Sequence, residues 1–339
     1  MNIRKIIVAG IVCPTILVLS MINCSSSIPI NPESTPEEPQ EMIIPTALRP
    51  GDKVAIVTPA GPIDGKYINA AADLLRSRGY EPVIYPHAYG CLGYYSGTVD
   101  DRFADLSAAL TDPSIKAILC SRGGYGAVHL LDRLNKLPLR DNPKWLIGFS
   151  DISALHALLS AHGIASIHGP MAKGISENPN GEDTRALFDI LEGKLPSYTF
   201  APAKFNQCGT ATGRLVGGNV AVLAALLDTP YDIFDRGSII FLEDVSEPIY
   251  KIERILYQLQ LAGILDRAAG ILIGEFTDYK PDAVHPSMEE MIHSILSRYN
   301  IPVAYNVPFG HGNRITPFVE GATVTLTVTP STVTLTPAK

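Results

Sequence analysis

The chain is predicted to fold as an α/β protein, a parallel sheet covered on both faces followed by a smaller, strand-rich α/β part. Three observations lead there. Short apolar runs that end in turn residues alternate with helical-period segments from residue 53 to about residue 160. That rhythm breaks after Met171, where a polar, glycine-bearing stretch begins. The chain then closes on alternating Thr/Val/Leu residues, the period-2 pattern of a hairpin. With 339 residues, 46% hydrophobic and 18% charged, it has material for one large or two ordinary globular domains.

The elements follow in order. Residues 53–57 form an apolar strand ending at Thr58-Pro59-Ala60-Gly61-Pro62. Ile68, Ala72, Leu74 and Leu75 mark a helix that Gly79 closes, and residues 82–85 form a second strand. Residues 106–110 read as helical, residues 116–120 as a third strand, and Val128, Leu130, Leu131 and Leu134 as the next helix. A fourth strand covers 145–149, and the helix after it carries Ile152, Leu155 and Leu159 on one face. The N-terminal domain is placed at 46–175 and a linker at 176–205, with one helix at 184–191. The C-terminal domain, 206–339, holds strands at 238–242 and 270–273 and an amphipathic helix at 249–261. Residues 323–328 and 332–336, around Pro330-Ser331, make the closing hairpin. No period of 20–50 residues recurs, which argues against a solenoid.

The first 24 residues are expected to lie outside the fold. Arg4 and Lys5 precede an uncharged apolar run over 6–22, the pattern of an export signal. Cys24 follows, then three serines and a segment rich in Pro, Ser and Glu. The placing of Cys24 resembles a bacterial lipoprotein signal, although Asn23 stands where a small residue is usual. A lipidated Cys24 and a flexible tether over 25–45 are therefore expected, with the body held on the periplasmic side of the outer membrane. Net charge is −7 and no dense Lys/Arg block occurs, which disfavours nucleic acid. Cys91, Cys120 and Cys208 cannot all pair, and none sits at metal-site spacing. No metal or cofactor is expected.

Four segments carry candidate chemistry. Gly148-Phe149-Ser150-Asp151 puts a serine at a strand-to-helix corner, where N–H groups converge. The hydrolase pattern G-x-S-x-G fails at Ile152, and on local evidence a helix cap is the stronger reading of Ser150. Arg122-Gly123-Gly124-Tyr125-Gly126 fits neither phosphate-binding glycine pattern. It suits a loop that brings N–H groups close to a reacting carbonyl, or a plain tight turn. Glu243 and Asp244 end an apolar strand and must face opposite ways, so at most one points into a given site. His311 lies between two glycines, with room to act as a general base, though loop histidines are often idle. His156, beside Leu155 and Leu159, reads as a satisfied core histidine.

Together the motifs resemble the LD-carboxypeptidase family, which also contains the microcin C immunity peptidases. The matching segments run from Arg49-Pro50-Gly51-Asp52 through Arg102-Phe103-Ala104-Asp105-Leu106, Arg122-Gly123-Gly124-Tyr125-Gly126 and Gly148-Phe149-Ser150-Asp151. They continue through His168-Gly169-Pro170-Met171, Gly217-Gly218-Asn219, Leu242-Glu243-Asp244-Val245, Gly274-Glu275-Phe276 and Pro308-Phe309-Gly310-His311. Order and spacing hold from about residue 46 to residue 320. The resemblance implies a Rossmann-like N-terminal domain carrying the serine and a C-terminal domain carrying the glutamate and histidine. It implies a triad of Ser150 as nucleophile, His311 as base and Glu243 as the acid orienting it. It also implies an oxyanion hole from the N–H groups of Asp151 and Gly124, and it makes Tyr125 and Asn219 candidate cleft residues. The implied reaction releases a terminal D-amino acid, typically D-alanine from a peptidoglycan tetrapeptide stem, without metal or cofactor. A homodimer is implied as well. Two rivals are a non-catalytic muropeptide-binding lipoprotein and an amidase that detoxifies a peptide antibiotic.

Overall fold

The computed structural model of the chain describes residues 41–338. The expected export signal, Cys24 and the expected tether up to residue 40 lie outside the described residues. The compact body begins at Glu41, so residues 41–45 belong to it rather than to the tether. Ile43 bridges Ile164, its N–H donating to the Gly163 carbonyl at 2.8 Å.

Thirteen strands occur among the described residues. They are Lys53–Val57 (β1), Glu81–Ile84 (β2), Ile115–Cys120 (β3), Trp145–Gly148 (β4), Ser166–His168 (β5), Tyr198–Phe200 (β6) and Gly209–Asn219 (β7). Ile239–Val245 (β8), Gly270–Thr277 (β9), Val303–Ala304 (β10), Phe318–Glu320 (β11), Thr323–Val328 (β12) and Val333–Pro337 (β13) complete the set. The first sheet has the order β11-β5-β4-β3-β1-β2. Its β2-β1-β3-β4-β5 portion is parallel throughout, and β11 closes the edge antiparallel to β5. The second sheet, β10-β9-β8-β7-β12-β13-β6, is parallel from β10 to β7 and antiparallel beyond.

The central parallel strands β1, β3 and β4 are largely apolar and buried on both faces because helices cover both sides. Val54, Ile56, Leu119 and Ile147 pack against Ile68, Ala72 and Leu75 of the helix Gly65–Ser77. Ala55, Val57, Ile118 and Leu146 face the helices on the other side. Strand order reverses between β1 and β3, the switch point at which doubly wound sheets open a crevice beyond their carboxyl ends.

Several elements were expected in place and are found there, among them β1, the helix Ile249–Leu261 and the closing hairpin β12–β13. The helix expected around 128–134 is instead two short pieces, a 3-10 turn Ala127–Leu130 and a helical turn Leu131–Leu134. The segment 176–205, read as a linker, packs on the first sheet and adds a strand to the second. Its helix Glu182–Leu191 buries Leu187, Phe188 and Ile190 against the first sheet, and β6 pairs with β13 of the second. Cys120 is a buried free thiol, its pKa pushed far up by burial, whereas Cys91 and Cys208 are exposed.

Candidate active site

The corner after β4 sets the first functional side chain. Ser150 has φ +66, in the left-handed region that a non-glycine residue occupies only under constraint. It makes no cap: the 3-10 turn Ser150–Ile152 and the helix Ser153–Ala161 that continues it show no side-chain cap bond. Ile152, where the hydrolase pattern has glycine, fills the space beside Gly148, and a Cβ on Gly148 would come within 2.8 Å of it. Instead of capping, the Ser150 hydroxyl stands 2.9 Å from His311 Nε2.

His311 arrives from the far end of the chain, on the loop after β10. Its Nδ1 is 2.7 Å from Glu243 Oε2, and Glu243 is fully buried near the end of β8. Gly310, at φ +103, lies against that carboxylate, and a Cβ there would fall 2.8 Å from Oε2. Asp244 faces away, accepting from Asn219 Nδ2 at 3.1 Å and the Ala221 N–H at 2.9 Å. Phe149 packs on the His311 ring, with centroids 5.0 Å apart. Burial by itself would lower the imidazole pKa. The Glu243 hydrogen bond and charge, with Asp244 and Asp278 behind them, turn the net shift upward from 6.5.

The glycine loop after β3 approaches the serine directly. A Cβ on Gly123 would lie 2.8 Å from Ser150 Cβ, so any larger residue there would displace the serine. The loop is held on every side. Ser121 N–H donates to the Val57 carbonyl at 2.8 Å, Gly61 N–H to the Gly123 carbonyl at 2.8 Å, and the Asp151 carboxylate accepts from Ala127 N–H at 2.8 Å. The buried Arg102 guanidinium donates to the carbonyls of Pro59 at 2.8 Å and Gly126 at 2.7 Å, lacing two loops at the sheet's carboxyl edge.

A cleft of about 1010 Å³ opens over this constellation. Ser150, His311, Gly123 and Gly124 line it, as do Arg122, Lys173 and Tyr67. Tyr125 and Asn219, named from the sequence as cleft residues, do not line it. Tyr125 is half exposed and packs edge-on against His129. Asn219 is buried, where its side chain caps the helix Val220–Ala224 through the Val222 N–H. His156 is a satisfied core histidine, its nitrogens 2.8 Å from Ser166 Oγ and 2.9 Å from the Gly148 carbonyl. Burial lowers its pKa to about 4.

Two residues went unassigned in the sequence. Glu275 lies against Gly312, whose backbone N–H donates to its carboxylate, and β9 also bridges Gly310, so this acid holds the histidine loop. The carboxylate of Asp183 pairs with Arg314 at 2.7 Å and accepts the Ile315 N–H at 3.0 Å, tying the same loop to the helix Glu182–Leu191. Nothing local in the sequence announces either contact, since the partners are 37 and 131 residues away.

Residues 54–169 match the model of the LD-carboxypeptidase N-terminal domain, and residues 212–326 match that of the C-terminal domain. A provisionally assigned carboxypeptidase of Synechocystis sp. is 37% identical over 286 residues, covering 82% of this chain and 93% of the relative. The murein tetrapeptide carboxypeptidase of Pseudomonas aeruginosa is 34% identical over 283 residues, covering 78% and 91%. The crystal structure of muramoyltetrapeptide carboxypeptidase from Oxalobacter formigenes superposes with a TM-score of 0.77 at 27% identity, covering 85% of this chain and 99% of that one. Two domain matches in order, relatives aligned over nearly their whole length and a shared fold make this chain a member of the LD-carboxypeptidase family, a serine-type carboxypeptidase.

Proposed function

We propose that the protein hydrolyses peptides derived from peptidoglycan, releasing the terminal D-alanine of a tetrapeptide stem by a serine mechanism. One observation carries the reading. Ser150, His311 and Glu243, far apart in sequence, form a continuous hydrogen-bonded line at 2.9 and 2.7 Å on the floor of a peptide-sized cleft. The names of the P. aeruginosa and O. formigenes relatives supply the substrate class.

In this mechanism the Ser150 hydroxyl attacks the scissile carbonyl while His311 Nε2 takes its proton. Glu243 holds the Nδ1–H, which fixes the ring and stabilises the imidazolium that forms. The tetrahedral oxyanion is held by the N–H groups of Asp151 and Gly124. Asp151 opens a helical turn, where N–H groups lack intrahelical partners. The Gly123 carbonyl is bonded to Gly61, and in a trans peptide this turns the Gly124 N–H the opposite way. His311 then returns the proton to the leaving amine, and water, activated by the same histidine, frees the acyl-enzyme.

Residues 25–339, purified as a soluble body, should release D-alanine from a muropeptide tetrapeptide, leaving the tripeptide in the mass spectrum. Binding without any tripeptide would instead favour a muropeptide-binding lipoprotein. Loss of a different acyl group would favour the antibiotic amidase.

We further propose that the mature protein is lipidated at Cys24 and held on the periplasmic face of the outer membrane, the reading its N-terminal sequence supports. A single saturated chain binds membranes only marginally, and several chains bind durably. Cys24→Ala should therefore move the protein from the membrane to the soluble periplasmic fraction. An unchanged distribution, with no lipid mass on the wild type, would overturn the attachment.

A further inference from the structure

We propose that Arg122 binds the free carboxylate at the end of the peptide and so makes the enzyme act on terminal residues. This rests on reading the site as a carboxypeptidase. A peptidase confined to the last residue must recognise a carboxylate close to the bond it breaks. Only the N–Cα and Cα–C bonds separate the scissile nitrogen from the terminal carboxyl carbon, a distance of about 2.5 Å. The cation that meets it must therefore stand in the immediate neighbourhood of Ser150.

Among the cleft-lining residues, Arg122 and Lys173 are the permanent cations. Lys173 is partly matched already, with Nζ 4.0 Å from Glu177 Oε1 and 5.9 Å from the centre of the Tyr67 ring. Arg122 has no ion pair among the described residues. It also adjoins Gly123, the residue pressed against Ser150, and it lines the same cleft as the serine. Among the described residues its one side-chain hydrogen bond, Nη1 to the Pro62 carbonyl at 2.6 Å, anchors one arm of the guanidinium and leaves the remaining N–H donors without a partner.

The arginine is also held in place before any substrate arrives. Ser121 is pinned by Val57 through its N–H and by Thr58 through its hydroxyl at 2.7 Å, and Gly123 is pinned by Gly61. A guanidinium fixed in this way loses little freedom on meeting a planar carboxylate, which it can grip with two parallel N–H donors. The side chain is exposed, so its removal leaves the core untouched.

The test compares tetrapeptides ending in a free D-alanine acid with the same peptides ending in D-alaninamide. Wild type should prefer the acid by roughly 100-fold in kcat/KM, the effect of a charge-assisted pair. Arg122→Ala should lose most of that preference through the acid substrate alone, with the amide little changed. Arg122→Lys should restore part of it, and Lys173→Ala should keep it. A preference that survives Arg122→Ala, or one that collapses in Lys173→Ala instead, overturns the assignment. Calorimetry of both peptides on Ser150→Ala, with and without Arg122→Ala, reads the same preference from binding with no turnover. A wild type that releases nothing would sink the hydrolytic reading, while the calorimetric comparison would still decide the role of Arg122.

Discussion

Ser150→Ala and His311→Ala are each expected to lower kcat by roughly three orders of magnitude or more, and the double variant should be little worse than either one. The reason is that both deletions remove one step. A serine hydroxyl is a weak nucleophile at neutral pH and attacks an amide only as a base removes its proton. His311 Nε2, 2.9 Å from the Ser150 oxygen, is placed for that transfer, so either residue is of little use without the other. Independent roles would make the losses multiply, so the double variant distinguishes the two cases. The fold should survive both changes, because Ser150 makes no cap and His311 lies on a loop anchored through Glu275 and Asp183. Single-turnover assays of D-alanine release, with circular dichroism on each variant, provide the measurement. A Ser150→Ala protein that turns over at close to the wild-type rate would refute the mechanism.

Glu243→Gln is expected to cost roughly three to four orders of magnitude in kcat, the scale found when the acid of such a triad becomes an amide. It should also shift the pH profile in a predictable direction. The base must be neutral to accept a proton, so activity falls as pH drops through the His311 pKa. That pKa is raised above 6.5, and the acid limb of kcat/KM should therefore lie above pH 6.5 in the wild type. Removing the Glu243 charge leaves the opposing effect of burial in place, so the limb of the residual activity should move to lower pH. Asp244→Asn should leave kcat nearly unchanged and move the limb down by less than Glu243→Gln does, because its charge is the smaller influence on His311. Its carboxylate serves Asn219 and the Ala221 N–H, and that substitution should appear in stability rather than in turnover. Equal kinetic losses in the two variants, or a limb that stays in place in Glu243→Gln, would overturn the division of roles.

The division between the two acids was already legible in one dimension. Neighbouring strand residues face opposite ways, so the pair could never act together; which of them faces the histidine depended on the turn of β8. The parallel sheet was equally legible. Its strands β1, β3 and β4 are short, largely apolar runs punctuated by turns, the pattern of strands covered on both faces. Elements stabilised mainly from outside were missed. The eleven residues of β7 include four glycines and carry little strand propensity, and they become a strand because β8 and β12 pair with them from both sides. The helix Met288–Leu296 is a different case. Met288, Met291, Ile292 and Ile295 recur at helical spacing after a Ser287 cap, so its signal was present and was passed over.

Sequence alone determined the α/β class and, through a series of modest motifs in order, the family, and it singled out the three residues that the structure joins by hydrogen bonds, Ser150, His311 and Glu243. Local chemistry by itself argued the other way at Ser150, where a serine before a helix reads as a cap. Only the tertiary structure decided that this hydroxyl faces His311 rather than its own helix, because that outcome depends on a backbone at φ +66 held by contacts from distant loops. The same holds for Tyr125 and Asn219, which motif order put in the cleft and which packing places on the surface and under a helix cap. It holds too for Glu275, Asp183 and Arg122, whose contacts join groups separated by tens to more than a hundred residues of chain. Periodicity and composition record what a segment needs to bury. They do not record which loops will meet, because that is set by the register and order of strands paired over long range.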